Sequence, residues 1–429
     1  YSINKNIQSF NIKNITFLIG QPFVELKILD EVFYFSLIDK LNKRFSNLLY
    51  VPSRKENDRN LNIMNIKHGI NILRTNMNVE HYLLHNKVIP KLVLGFTSTA
   101  LVTLNKLFNQ EKEYIDLLKD ADGALIYLHP LTTKEVMEQC SNLKVISRGG
   151  VGVDSVDLEA ATELGICICN TPGINTTEVA DHAMAMLLSL TRKIREQDAL
   201  VKKGYWADRT ELIHPYRSEL GRIAGNIVGI VGLGNIGKSF ATRIKGFGPA
   251  KIIAYDPYID RTTADLFGVE LVDLDELLKI SDFITLHAPS TEETHHIINE
   301  EAFSKMKSNC ILINCARGPL VDPSALFNAL KNNIIPAAGI DVTEKEPISS
   351  EDPLLSLDNL IITPHTAGSS SVSREVGTRK QAENVIKILK GEAPHGLANP
   401  EVIKTIALMK TKANNRWSNV DLFDTSLKV

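Results

Sequence analysis

At Val228 the chain runs VGIV directly into Gly232-Leu233-Gly234-Asn235-Ile236-Gly237, and then into the helical stretch KSFATRIKGFG. A short apolar strand, a glycine-spaced turn and a helix in that order leave few possible folds. Gly232 allows the tight turn. Gly234 has no Cβ, so the backbone can approach a pyrophosphate, and Gly237 lets the helix pack close to the strand. The unpaired N–H groups of the helix, at the positive end of its dipole, then face an anion. Asp256 ends the next apolar run, KIIAY, 19 residues beyond Gly237. A carboxylate there accepts from the adenosine ribose hydroxyls and repels a 2′-phosphate. These residues, with Asn235 and Ile236 inside the turn, are expected to bind NAD in preference to NADP.

The rest of the chain beyond Asp120 repeats the strand-then-helix rhythm. Apolar runs stand at Gly123–Tyr127, Leu143–Ser147, Ile166–Cys169, Asn226–Val231, Lys251–Tyr255, Phe283–Leu286, Cys310–Asn314, Ala337–Ile340 and Leu360–Thr363. Helical stretches separate most of them. Short, wholly apolar strands alternating with helices imply a parallel sheet covered on both faces. Thr176–Lys203 reads as one long helix, with Thr176 or Thr177 as N-cap and Gly204 as stop. The expected fold class is α/β.

Composition bounds the function. The chain has 429 residues, 44% of them hydrophobic and 23% charged, with a formal net charge of −2. That balance excludes a disordered or collagen-like chain and offers no overall electrostatic footprint for nucleic acid or an anionic membrane. No apolar stretch reaches the ~18 residues a membrane span needs, and no signal-like segment opens the chain. A cytoplasmic location is the expectation. The sequence opens on Tyr1 rather than Met, so the natural start is expected to lie elsewhere. The cysteines are Cys140, Cys167, Cys169, Cys310 and Cys315. An odd number in a long chain favours reduced thiols over a disulfide scaffold. Cys167 and Cys169 point to one face of a strand and do not have zinc-knuckle spacing; no metal site is expected.

Three ionisable residues follow apolar runs downstream of the glycine turn. Arg317 follows Cys310–Asn314 in INCARG, Glu346 lies in DVTEKEP, and His365 follows Leu360–Thr363 in ITPHTAG. The carboxyl ends of parallel strands converge on a ligand crevice. Singly, Arg317 reads better as a helix-capping or surface cation and His365 as an ordinary turn histidine; all three after one cradle is the informative pattern. An imidazole titrates near neutrality, at ~6.5, and suits proton transfer to and from an alcohol oxygen. A carboxylate on its other nitrogen would fix the tautomer, and a guanidinium fork suits a substrate carboxylate. Asp181-His182 is a further acid–imidazole pair, but it lies within the long helix and reads as packing.

Seven ordered motifs carry a family likeness: LKVISRGGVGVDSVDLEAA, CNTPGINTTEVADHAMAMLL, VGLGNIG, LHAPSTEETHHIIN, INCARGPLVDPSAL, AGIDVTEKEP and ITPHTAGSS. Through them the chain, from about Asp120 to about Pro400, resembles the D-isomer-specific 2-hydroxyacid dehydrogenases. These include D-3-phosphoglycerate, glyoxylate/hydroxypyruvate and D-lactate dehydrogenases. The resemblance implies a Rossmann-type doubly wound sheet for NAD and a flavodoxin-like substrate lobe. It implies that Arg317 anchors the substrate, Glu346 pairs with the histidine and His365 is the acid/base. It further implies cofactor contacts at Ala316 and Asp341, the latter orienting the nicotinamide amide, and substrate contacts from the backbone of Gly150, Val151 and Gly152. Ser155 stands where the family usually has Asn. A homodimer and a 2-hydroxy or 2-oxo acid, with 3-phosphoglycerate or a hydroxypyruvate/glyoxylate-type compound foremost, are the implied partner and substrate.

The composition changes near residue 110. Only Gly20, Gly69 and Gly95 of the 25 glycines precede it. There the segments ITFLIGQPFVELKILDEVFYFSLIDKL, LLYVPSRKEN, GINILRTNMNVEHYLLHN and PKLVLGFTSTALVTLNKLF resemble the carboxyl half of bacterial sialyltransferases, over 13–108. Such enzymes bind their CMP donor with a Pro-His pair. Here Ser53 follows Pro52, Thr97-Ser98-Thr99 matches their serine/threonine motif, and no acidic catalytic motif is found, so an inactive remnant is expected. Alternatively, Lys91–Leu94 and Ala100–Leu104 stand in for lost strands of the substrate lobe. The expected domains are 1–110, a partial sialyltransferase-like segment; 111–173 with 367–400, a substrate lobe incomplete at its start; 174–366, the NAD domain; and 401–429, a tail in which Asn414-Asn415 and Trp417-Ser418-Asn419 suggest irregular structure. Two other readings compete. One is a non-catalytic NAD-binding interaction protein, separable by turnover on 2-hydroxy acids. The other is a sialyltransferase, separable by a CMP-sialic acid assay.

Overall fold

The computed structural model describes residues 16–19, 35, 38, 48–51, 58–68, 71–72, 92–95, 114–115, 118–127, 130–412 and 415–420. They form two compact units. One is Asn175–Ser373; the other takes the described residues of Tyr1–Ile174 and Arg374–Val429.

The first unit is built on a seven-stranded, all-parallel sheet. Its strands are β8 (Ile227–Val231), β9 (Lys251–Tyr255), β10 (Glu270–Leu271), β11 (Phe283–Leu286), β12 (Ile311–Asn314), β13 (Ala337–Ile340) and β14 (Leu360–Ile362), in the order β10-β9-β8-β11-β12-β13-β14. From β8 the chain builds outward to β9 and β10, then crosses back to add β11 to β14 on the other side. The direction therefore reverses at β8, and doubly wound sheets bind ligands at that switch point. Successive residues of one strand feed opposite cores, as a doubly covered sheet requires. In β12, Ile311 and Ile313 join Met186, Leu190 and Phe240, whereas Leu312 joins Leu286, Phe303 and Leu326.

The long-helix expectation is corrected. Helices run over Thr176–Thr191 and Ile194–Lys202, and the break is Lys193, in the left-handed region at φ 49°. Asn175, rather than either threonine, stands at the N-cap position of the first, and its side chain makes no capping hydrogen bond. Polar, charged sequence around Lys193 hides the break, because nothing in its pattern differs from an exposed helix turn.

Asp282, at the entry to β11, accepts from Ile227 N (2.9 Å), Lys307 Nζ (3.0 Å) and Asn309 Nδ2 (3.1 Å). Burial pushes its carboxyl up, but these donors outweigh burial and hold it below the usual range. A depressed folded pKa stabilises above the unfolded value of ~3.9 and is lost as pH falls through the folded value. Asp282→Ala is expected to cost about 1–3 kcal/mol at pH 7. In urea titrations the gap from the unsubstituted protein should close as pH falls below ~4.

The second unit holds two parallel sheets. One is β5 (Gly123–Ile126), β6 (Val145–Arg148) and β7 (Cys167–Cys169), in that order. Cys167 and Cys169 share a face, packed with Val145, Ile388, Val402 and Trp417, while Ile168 faces the other core. All five cysteines are buried free thiols, and burial pushes the Cys167 thiol up to about 12. The other sheet is β1 (Thr16–Ile19), β2 (Leu48–Val51), β3 (Asn71–Ile72) and β4 (Leu92–Gly95), ordered β3-β2-β1-β4. Leu92–Leu94 therefore pair with β1 rather than extending the β5-β6-β7 sheet. Ala100–Leu104, Ser53 and Thr97–Thr99 lie outside the described residues.

In the tail, residues 415–420 form turns, but they follow a helix that no motif announced. Val402–Lys410 is a helix, and Trp417 is fully buried, donating from Nε1 to Gly165 O at 2.8 Å. Gly165 is at φ 67°, and a Cβ on it would lie 2.6 Å from Met409 Sδ of that helix. No helix among the described residues is long and apolar enough to cross a membrane.

Candidate active site

β8 ends at Val231 and Gly232 turns away at φ 90°, its N–H donating to Tyr255 O of β9 at 2.9 Å. A Cβ on Gly232 would lie 2.6 Å from Ala288 N, and one on Gly237 would lie 2.2 Å from Gly232 O. Both positions are closed to any side chain. Gly234 differs: a Cβ there meets nothing within 4 Å. It is the N-cap of the helix Asn235–Ile244 and faces open space. A crowded turn, an open Gly234 and free N–H groups at a helix start together fit a pyrophosphate. Asp256 sits beside the turn, accepting from Leu233 N (2.8 Å) and Tyr258 N (2.9 Å). Its carboxylate thus fixes the loop.

Because the sheet is parallel, the residues after β12, β13 and β14 lie at the same edge as Gly232. Arg317 follows β12. Asn314, at the end of that strand, accepts from Ala316 N and donates to Arg317 O, so its amide shapes the turn that places the guanidinium. Arg317 Nη1 donates to Ala316 O at 2.8 Å.

His365 follows β14 in the left-handed region at φ 52°, a strained setting for a residue with a Cβ. Its N–H donates to Asp341 O (2.7 Å) and Thr363 O (3.0 Å). Its Nδ1 lies 2.6 Å from Glu346 Oε2, with both side chains about one-third exposed. Glu346 also accepts from Thr343 N at 3.1 Å. Burial pushes the Glu346 carboxyl up, but the His365 hydrogen bond and charge, the Thr343 N–H and the Arg317 charge together hold it below the usual range. The carboxylate is therefore ionised at neutral pH and directs Nε2 of His365 away from itself.

Asp341 is 1% exposed, and its carboxylate accepts from Thr363 Oγ1 (2.5 Å), Thr366 N (2.9 Å) and Ala367 N (2.8 Å). The resemblance implies a nicotinamide contact for this acid; within the chain its hydrogen bonds go to the turn that carries His365. His182 joins the same network, with Nε2 3.0 Å from Thr363 Oγ1. The pair Asp181-His182 is thus divided. Asp181 pairs with Arg243 on the neighbouring helix, while His182 backs the His365 turn.

In the other unit, Gly150, Val151 and Gly152 form a loop after β6. Gly150 is at φ 129°, and a Cβ on it would lie 2.0 Å from Arg148 Nη1. Thr171 exchanges backbone and hydroxyl hydrogen bonds with Gly150, and Asn170 Nδ2 donates to Val151 O at 2.8 Å. Ser155, buried, donates to Tyr127 O at 3.3 Å and so ties down the far end of the loop.

The sequence model for "D-isomer specific 2-hydroxyacid dehydrogenase, NAD binding domain" matches residues 184–367. A D-3-phosphoglycerate dehydrogenase from Methanocaldococcus jannaschii is 42% identical over 303 residues, which is 70% of this chain and 56% of that protein. A glyoxylate reductase from Korarchaeum cryptofilum is 41% identical over 294 residues, 68% of this chain and 87% of its own length. The chain belongs to the D-isomer-specific 2-hydroxyacid dehydrogenase family. The crystal structure of the TT0316 protein from Thermus thermophilus has the same fold, with a TM-score of 0.62 at 32% identity, over 76% of this chain and 98% of that one. The chain thus spans just over half of one dehydrogenase relative and most of the other.

Within this dehydrogenase frame, Asn314 and Thr363 escaped the sequence reading, and His182, read as packing, backs Thr363. Asn314 is the one polar residue closing an apolar strand, and that was a readable signal. Thr363 and His182 are 181 positions apart and no local pattern joins them. Arg148 was missed too: it is only 8% exposed at the end of β6, a rare place for a cation.

Proposed function

We propose that this chain interconverts a D-2-hydroxy acid and its 2-oxo acid, with NAD as hydride carrier. The acid we favour is 3-phosphoglycerate or a hydroxypyruvate/glyoxylate-type compound. The observation that carries the reading is the 2.6 Å His365–Glu346 pair at the same sheet edge as the glycine turn. When bound, NAD supplies the acceptor for the hydride leaving the alcohol carbon. Gly232, Gly234, Asn235, Ile236 and Gly237 would hold its pyrophosphate and Asp256 its ribose. His365 Nε2 takes the hydroxyl proton and returns it in the reverse direction. Glu346 keeps Nδ1 protonated, fixes the ring and stabilises the imidazolium. Arg317 holds the substrate carboxylate through its planar fork. Asp341, Thr363 and His182 are positioning residues for the His365 turn. The family resemblance also assigns the backbone of Gly150, Val151 and Gly152 to the acid. A screen of NADH consumption against 2-oxo acids tests the reading; no turnover on any of them favours the non-catalytic alternative.

Asp256 sets the cofactor choice in this proposal. Asp256→Asn keeps one acceptor for Leu233 N but removes the charge that repels a 2′-phosphate. NADPH use relative to NADH is expected to rise about 10- to 100-fold, read as the ratio of kcat/KM values. An unchanged ratio would place the choice elsewhere.

A homodimer fits the helices after Lys193. Ile194–Lys202 buries no residue of its own, and Ile194, Val201 and Trp206 are 54%, 45% and 65% exposed. Clustered exposed apolar side chains of this kind mark a protein contact. Light scattering is expected to give a dimer mass, and Trp206→Asp a monomer mass.

A further inference from the structure

His295, His296 and Glu344 lie outside the residues assigned above, yet bring three ligand atoms within 4.8 Å of one another. We propose that they form a binding site for a divalent cation of the zinc class, which ties the Glu346-bearing segment to the loop before Ile298. Two imidazoles and a carboxylate are a donor set such cations prefer. Glu344 Oε1 is 2.9 Å from His296 Nε2 and 3.8 Å from His295 Nε2. Ligand atoms around a tetrahedral zinc stand ~3.3 Å apart, given bonds of ~2.0–2.1 Å. The two distances bracket that value. An ordinary ion pair accounts for His296 alone; His295 is too far to hydrogen-bond to that oxygen, yet its ring stacks on His296 at 3.9 Å.

The frame around the cluster is held in place. His296 is in the left-handed region at φ 51°, and its N–H donates to Pro319 O at 2.8 Å. Its other ring nitrogen, Nδ1, lies 4.0 Å from Asp322 Oδ2. At that distance the carboxylate acts on the imidazole through its charge and not through a hydrogen bond. Gly318 abuts the Thr343–Glu344 peptide so closely that a Cβ would sit 2.1 Å from Thr343 O. A cation here therefore joins the turn after Arg317, the loop holding both histidines and the segment leading to Glu346. His295 is 54% side-chain exposed, which leaves a fourth position for water.

Calorimetric titration of Zn2+ alone into the chelator-treated full chain tests the site. One ion per chain is expected, with His295→Ala and Glu344→Gln each weakening binding more than ~10-fold. Co2+ should give tetrahedral visible absorption that His295→Ala abolishes. Absence of Zn2+ binding, or an affinity unchanged in either His295→Ala or Glu344→Gln, overturns the proposal.

Discussion

His365→Ala is expected to lower kcat about 10²- to 10⁴-fold, the span that a positioned acid/base contributes. KM for the acid should change far less, because the alanine removes no group that holds the carboxylate. NADH binding, followed by its fluorescence, should persist, since no residue of the glycine turn bonds to His365. Arg317→Ala provides the contrast: it should raise KM more than it lowers kcat, because a carboxylate anchor acts in both ground and transition states. The His365 effect has a structural confounder. The residue is held at φ 52° by two backbone hydrogen bonds. An alanine there keeps those bonds, so the fold is expected to survive and the loss to appear in turnover. A His365→Ala enzyme with unchanged kcat across pH 6–9 would end the assignment.

Gly234→Ala and Gly237→Ala should part company. A methyl on Gly237 meets Gly232 O at 2.2 Å, and neither a Cβ nor a backbone oxygen can swing aside. The helix Asn235–Ile244 must shift, at about 1–3 kcal/mol for overpacking of this kind. Thermal stability and NADH affinity should fall together, the latter about 10- to 100-fold. A methyl on Gly234 meets nothing within 4 Å, so its melting temperature should hold. Its NADH affinity should nevertheless fall, because the methyl occupies the space a pyrophosphate needs. Gly234→Ala with full NADH affinity would show that the turn is a structural element and not a phosphate site.

The glycine turn, the order of the strands along the chain and the three ionisable residues were legible because each is a local pattern. A turn at φ 90°, a doubly buried strand and a residue just past a strand end all leave marks within a few positions. Even where the pattern ran ahead of the structure, as at Thr176–Lys203, the error was a single left-handed residue in an exposed stretch. The tail was harder. Trp417 packs against Gly165 and Val402, more than 250 positions and 15 positions away respectively, and a lone tryptophan in polar sequence does not announce such a partner.

Sequence alone determined that a parallel doubly wound sheet would present Arg317 and His365 at one edge with a dinucleotide turn. Strand polarity and strand-end position suffice for that, since parallel strands must place all their carboxyl ends together. Tertiary structure decided what holds those residues in working geometry. Asp341 bonds to Thr363, Thr366 and Ala367, His182 reaches Thr363 from another helix, and Glu346 reaches His365 across 19 positions. Side-chain hydrogen bonds form only within about 3 Å and depend on direction, so they are set by how the elements pack and not by spacing along the chain.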